Sequence, residues 1–242
     1  MRLVLSHARA QSIELLRYPA FSAPTLALPA IFFAFFGLPN AHRHGNVLVA
    51  SYCAYAVLSV AFFQFGVGIA QERTRPWELF LRTLPVGVAT RLAARALSAS
   101  GFALASIAVL LALALPTTPV SLTLGSWLEL TAALVAGGLI FVALGIALGY
   151  LVPPKGALPV ANLLYLTLSY VGGLWTGPSG VPVTVVHLSV VLPTRIWANL
   201  LWEPATGQRW QSVYWAALGA YGIVFAIAAA WGYRRDEGQR FR

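Results

Sequence analysis

Seven carboxylates, four histidines, one cysteine and one lysine are the chain's main stock of reactive side chains. The acids are Glu14, Glu72, Glu78, Glu129, Glu203, Asp236 and Glu237, and none falls in the middle of an apolar run. Proton- or sodium-coupled carriers keep an ionisable group at mid-membrane depth despite its cost, so this placement argues against secondary active transport. Lys155 stands in "VPPKGA", without the glycine-rich turn of a phosphate-binding loop. No H-E-x-x-H and no G-x-S-x-G occurs. His42 and His44 in "NAHRHGN" read as solvated loop residues, and His187 as a packed neutral imidazole. Cys53 is the only cysteine, which excludes an intrachain disulfide. With Met1 the only methionine, soft-metal handling lacks ligands. Catalytic chemistry therefore has almost nothing to stand on, and no cofactor or metal is expected in this chain.

Five charges, Glu72, Arg73, Arg75, Glu78 and Arg82, gather in one stretch, "QERTRPWELFLRTLP", residues 71 to 85. Pro76 suits a first helical turn, where its missing N–H is not needed. Trp77, Phe80, Leu81 and Leu84 then fall at i, i+3, i+4 and i+7, one apolar face. Glu78 and Arg82 form an i,i+4 pair, and Pro85 stops the helix. Two readings stand for this two-turn amphipathic helix. It is an interfacial anchor between two spans, or it is a docking surface for a partner, since tryptophan rimmed by Arg and Glu matches the composition of interface hot spots.

Of 242 residues, 59% are hydrophobic and 10% charged, with a mean hydropathy of +0.75. Soluble domains carry about 25% charged residues, so this chain lacks the polar residues to coat a soluble surface. The composition predicts an all-α integral membrane protein with spans at roughly 20–38, 47–70, 94–115, 127–152, 157–175 and 212–233. The net charge of +9 sits in the gaps between these runs, which speaks for topology and against nucleic acid. With the N-terminus in the cytoplasm, only Arg43, Arg195 and Arg209 of the sixteen Lys and Arg residues lie outside, so both termini are expected to be cytoplasmic.

Residues 1–19 read as an interfacial helix, with Val4, Leu5, Ala8, Leu15 and Leu16 on one arc and Ile13 spoiling the pattern. Pro19 and Pro24 are expected to separate it from the first span. Residues 176–211 are too long for a turn. "VPVTVVHLSVVLP", bounded by Pro182 and Pro193, is too short to cross, which suits a re-entrant element. Trp175, Trp197, Trp202, Trp210 and Trp215 cluster here and read as an aromatic belt at the membrane boundary or, for Trp175 and Trp197 with the two prolines, as an outer gate. Gly145 and Gly149 make a GxxxG that permits close helix packing, though Gly-rich runs produce it by chance. No soluble domain and no repeat is evident, so residues 1–242 form a single membrane domain.

The stretch from Glu72 through "LFLRTLPVG" to Arg91 and Arg95 resembles the coupling-helix region of ABC-2 type transporter permeases, especially small drug exporters. Glu72, Leu81, Leu84, Pro85, Val86 and Arg95 fit that pattern, while Pro76 stands where a glycine is common. "YVGGLWTGPSGVP" and "VVLPTRIWANLL" are similar to the family's glycine-rich end of span five and its external short helices. The resemblance implies a permease that dimerises with a second copy or a related chain, lies in membrane lipid, and receives two ATP-binding cassette subunits on residues 71–87, where Glu72, Arg73, Trp77, Glu78, Phe80, Leu81 and Pro85 would form the docking and coupling surface. ATP and magnesium would be held by those partner chains. Glu72 and Arg95 would form a salt bridge in a cytoplasmic bundle. A hydrophobic or amphipathic cargo is expected; haem or polysaccharide export is the alternative within this class. An intramembrane enzyme or a non-conducting assembly subunit is the alternative outside it.

Overall fold

The structure is a computed structural model that describes residues 2–17, 19–74, 88–178, 180–181 and 183–240. Among these residues there are helices and turns and no strand. In chain order the helices are α1 (Arg2–Leu16), α2 (Pro19–Phe32), α3 (Leu38–Val60), α4 (Gly68–Glu72), α5 (Val88–Thr117), α6 (Leu124–Leu151), α7 (Pro154–Val171), α8 (Val186–Val191), α9 (Pro193–Ala205) and α10 (Ser212–Arg240). Two π-helical segments, π1 (Phe33–Gly37) and π2 (Ala61–Val67), join α2 to α3 and α3 to α4.

Five stretches are long and apolar enough to cross a membrane: Ser22–His42, His44–Glu72, Leu92–Thr117, Leu124–Leu151 and Ser212–Glu237. The expected span at 157–175 coincides with α7, which is not among the five. Its 18 residues rise about 27 Å, and they include Lys155 and Asn162. The helix ends at Gly172, and Gly173 then turns the chain with φ 81°, a left-handed conformation that glycine adopts without strain.

Proline placement explains how α2 survives. Pro24 lies inside α2, so it does not separate α1 from the first span as the sequence suggested; α2 begins at Pro19. Pro29 cannot bond the Thr25 carbonyl four residues back. The buried Ser106 hydroxyl of α5 donates to that carbonyl at 3.1 Å and takes over the missing bond. At His44 (φ −136°, ψ 32°) the helix kinks, and the two spans fold back so that Phe33 and Tyr52 meet at 5.2 Å.

The second span is the central pole of the bundle: 83% of its most apolar window is buried, against 6% for α10. Lipid provides little hydrophobic drive for helix association, so close backbone approach must do much of the work. Glycines on one face of α6 allow it. A methyl group at Gly145 would overlap the Ala61 carbonyl of π2, and one at Gly149 would stand 2.9 Å from the Phe65 carbonyl oxygen. The GxxxG pair is thus a packing seam within the chain. Gly145→Val is expected to pry π2 from α6 and cost about 1–3 kcal/mol, the usual penalty for overpacking; thermal unfolding in detergent measures it, and an unchanged midpoint would contradict the seam.

Helix α1 lies against α5 through Ala8, with the Ser12 hydroxyl donating to Ser98 at 2.9 Å. Leu3, Leu5, Ile13 and Leu16 remain exposed. The contact face is therefore narrower than the expected arc: Ala8 and Ser12 are small enough to bring the helices close and Leu15 packs inward, while Leu5 and Leu16 are left outward.

Candidate functional site

The ends of α4, α5, α6 and α10 converge in a charged cluster. Glu72 closes α4, and its carboxylate accepts from the Arg95 guanidinium of α5. Arg95 is buried, and its Nη1 also donates to the Gln64 carbonyl of π2 at 2.8 Å. The next residue, Arg73, grips different elements. Its Nη1 donates to Asp236 of α10 at 2.7 Å, and its Nη2 to the Val152 carbonyl at 2.9 Å. Val152 caps the C-terminus of α6, where carbonyls lack helical partners and a cation is favoured. Side-chain exposures of 15% for Arg73 and 8% for Asp236 make this a buried pair. Two consecutive residues thus hold α5 on one side and α6 with α10 on the other, directly before the segment that begins at residue 75.

The structure brings Glu72 and Arg95 together and adds Asp236, Val152 and Gln64. Sequence reasoning assigned Arg73 to docking and passed over its partner, because Arg73 and Asp236 lie 163 positions apart and share no motif. Trp77, Glu78, Phe80, Leu81 and Pro85 lie outside the described residues.

Further along the bundle, α2, α3, π2 and α7 enclose a cleft of about 220 Å³ lined by Pro24, Thr25, Leu28, Ser59, Phe63, Leu158 and Asn162. Its walls are largely apolar, and its polar groups are hydroxyls and one amide, with no charge. That volume is below the usual range for a whole drug-sized ligand, so the cleft would take only part of one. An aromatic column adjoins it. Tyr55 stacks on Tyr165 at 4.6 Å, and Trp175 contacts Phe32 at 5.0 Å, Phe36 at 5.5 Å and Tyr170 at 5.5 Å. The Tyr52 hydroxyl lies 3.3 Å from the Phe32 carbonyl oxygen and 3.2 Å from that of Trp175, which ties π1 to the turn after α7.

Helices α8 and α9 fold back into the bundle at the end opposite the charged cluster. The Ser189 hydroxyl donates to the Val171 carbonyl at 2.6 Å and Thr194 to the Leu168 carbonyl at 2.7 Å, so side chains satisfy the last turn of α7. Pro193 opens α9 where its missing N–H costs nothing. Trp197 of α9 is fully buried and donates to the Ala133 carbonyl of α6 at 2.8 Å. Ala133 lies nine residues past Leu124, about 14 Å along that helix. Trp202 donates to the Ser51 hydroxyl at 2.7 Å and Trp210 to the Leu200 carbonyl at 2.9 Å. The aromatic-belt reading therefore fails for Trp197 and Trp202: their indoles are buried anchors that find acceptors inside the bundle. Trp175 is partly buried in the aromatic column, and Pro182 lies outside the described residues. His187 is exposed, not packed, because α8 turns Ser189 inward and His187 away.

An all-helical chain with five candidate spans and internal polar contacts is the architecture of a multi-pass membrane protein. It is 23% identical, over 98% of its length and 99% of the relative's, to the "Putative transport permease YvfS" of Bacillus subtilis (strain 168). No protein-family model matches the chain. The apolar helices and this full-length likeness together support a membrane transport permease.

Proposed function

We propose that this chain is the permease subunit of an ATP-driven exporter of ABC-2 type, moving a hydrophobic or amphipathic molecule out of the cytoplasm or inner leaflet. The observation that carries the reading is the end-to-end likeness to a transport permease in a chain whose sequence has no ATP-binding motif. Energy then comes from two copies of a separate ATPase, which hold the ATP and magnesium and dock on residues 71–87. Glu72 and Arg73 receive the push and divide it, one toward α5 and the other toward α6 and α10. A rigid-body tilt of the spans would open the bundle alternately to the two sides. The permease sits in the plasma membrane with both termini in the cytoplasm, α7 serving as a sixth, shorter span.

The uncharged cleft between α2, α3 and α7 suits part of an apolar cargo with a single hydrogen-bonding group. A second permease copy closes its open side. The aromatic column around Trp175 and the α8–α9 pair, pinned by Trp197, form the outer gate.

Co-purification with the ATPase tests the docking claim. Trp77→Ala and Glu78→Ala are each expected to weaken capture at least tenfold, since a hot-spot residue contributes about 2 kcal/mol or more. The same variants should keep wild-type unfolding midpoints. Normal capture and normal efflux in both would rule out docking on this segment.

A further inference from the structure

Segment π2 carries three features that packing alone does not explain. It is a seven-residue π-helix inside a span, a wide-turned geometry that is rare and concentrates at functional sites. It is pinned from outside: Arg95 reaches past Gly68, where a methyl group would stand 3.1 Å from its Nη1, to bond the Gln64 carbonyl. And Gln64 itself is 3% exposed with neither Oε1 nor Nε2 hydrogen-bonded among the described residues. A buried amide left unbonded destabilises the state that contains it, and a second state in which it is satisfied would recover that cost. The residue before it, Phe63, lines the cleft.

We propose that π2 is a register switch held by the Glu72–Arg95 pair, and that Gln64 is the polar group the switch delivers to the cleft. Moving the π-bulge past one residue turns that residue by about 100° and slides it about 1.5 Å. Adjacent helical positions differ by the same angle, so Gln64 takes the direction Phe63 has now. Its amide then meets the hydrogen-bonding group of a neutral amphiphile beside Phe63. Arg95 connects this event to Glu72 at the end of the same span. The role of the cleft as a cargo site rests on the permease reading; the switch does not.

The test uses the full-length chain in native membranes. In a Cys53→Ala background, Gln64→Cys is exposed to methyl methanethiosulfonate, with Ser59→Cys, already on the cleft, as the control. Position 64 should label slowly. Glu72→Gln or Arg95→Leu should speed its labelling at least tenfold while changing position 59 by less than twofold. An unchanged rate at 64 in both variants would overturn the switch, and an equal acceleration at both positions would mean general loosening and overturn it too. A second arm measures Gln64→Leu in the co-expressed ATPase complex, with the neutral dye Nile red as cargo. This variant should melt several degrees higher than wild type yet export the dye at least tenfold more slowly. Wild-type export by Gln64→Leu would overturn the recognition role. If the wild-type complex moves no dye, the cargo reading falls, and the labelling arm still decides the switch.

Discussion

Trp197→Ala is expected to lower the unfolding free energy by about 3–5 kcal/mol, the range for emptying a fully buried aromatic site. Trp197 is fully buried and donates its indole N–H to the Ala133 carbonyl at 2.8 Å. Its ring lies 5.2 Å from Phe141, over Gly137, where even a methyl group would overlap the indole. This one side chain fastens α9 to α6, and α9 in turn carries Trp202 to Ser51 and Thr194 to Leu168. The site cannot collapse easily, because α6 is also held against π2 along its glycine seam. Trp197→Phe separates the two contributions. It keeps most of the volume and loses one hydrogen bond, so it should cost about 1–2 kcal/mol. Equilibrium unfolding in detergent with SDS, followed by the reactivity of the buried Cys53 thiol, provides the measurement. A Trp197→Ala variant within about 1 kcal/mol of wild type, well short of the usual cost of such a cavity, would mean that α9 is held elsewhere.

The spans were legible because lipid imposes a simple rule, and five of six expected runs coincide with apolar helices. The run at 157–175 shows where that rule weakens. Apolar composition does not reveal that Gly172 and Gly173 stop α7 short, nor that α8 and α9 complete its end with Ser189 and Thr194. The tryptophans misled for a related reason. Indoles favour the membrane boundary when they face lipid, but Trp197 and Trp202 find internal acceptors, and which acceptor lies in reach depends on tertiary approach at Gly137 and Ser51. Glu72 and Arg95 were suggested by a resemblance and lie in contact. The π-turns left no sequence signal at all: a one-residue bulge in "AFFQFGV" changes neither hydropathy nor length.

Arg73→Met should be nearly as damaging as Trp197→Ala. It removes the Arg73 guanidinium from the Asp236 carboxylate, whose side chain is 8% exposed, and breaking a buried pair in this way costs about 3–5 kcal/mol. Asp236→Leu should cost less than Arg73→Met, because Arg73 retains the Val152 carbonyl at 2.9 Å. The double variant is the most informative. Replacing both members of a buried ion pair by apolar groups is often neutral or stabilising, so Arg73→Met/Asp236→Leu should lie closer to wild type than Arg73→Met does. Hydrogen exchange localises the damage: amides near residue 236 of α10 should exchange at least tenfold faster in Arg73→Met, while those near Ser212 stay at the wild-type rate. In the double variant the fast amides should return toward protection. If the double variant is as unstable as Arg73→Met alone, the Asp236 contact contributes nothing to holding α10, and Arg73 acts through its other bonds, that to the Val152 carbonyl of α6 among them.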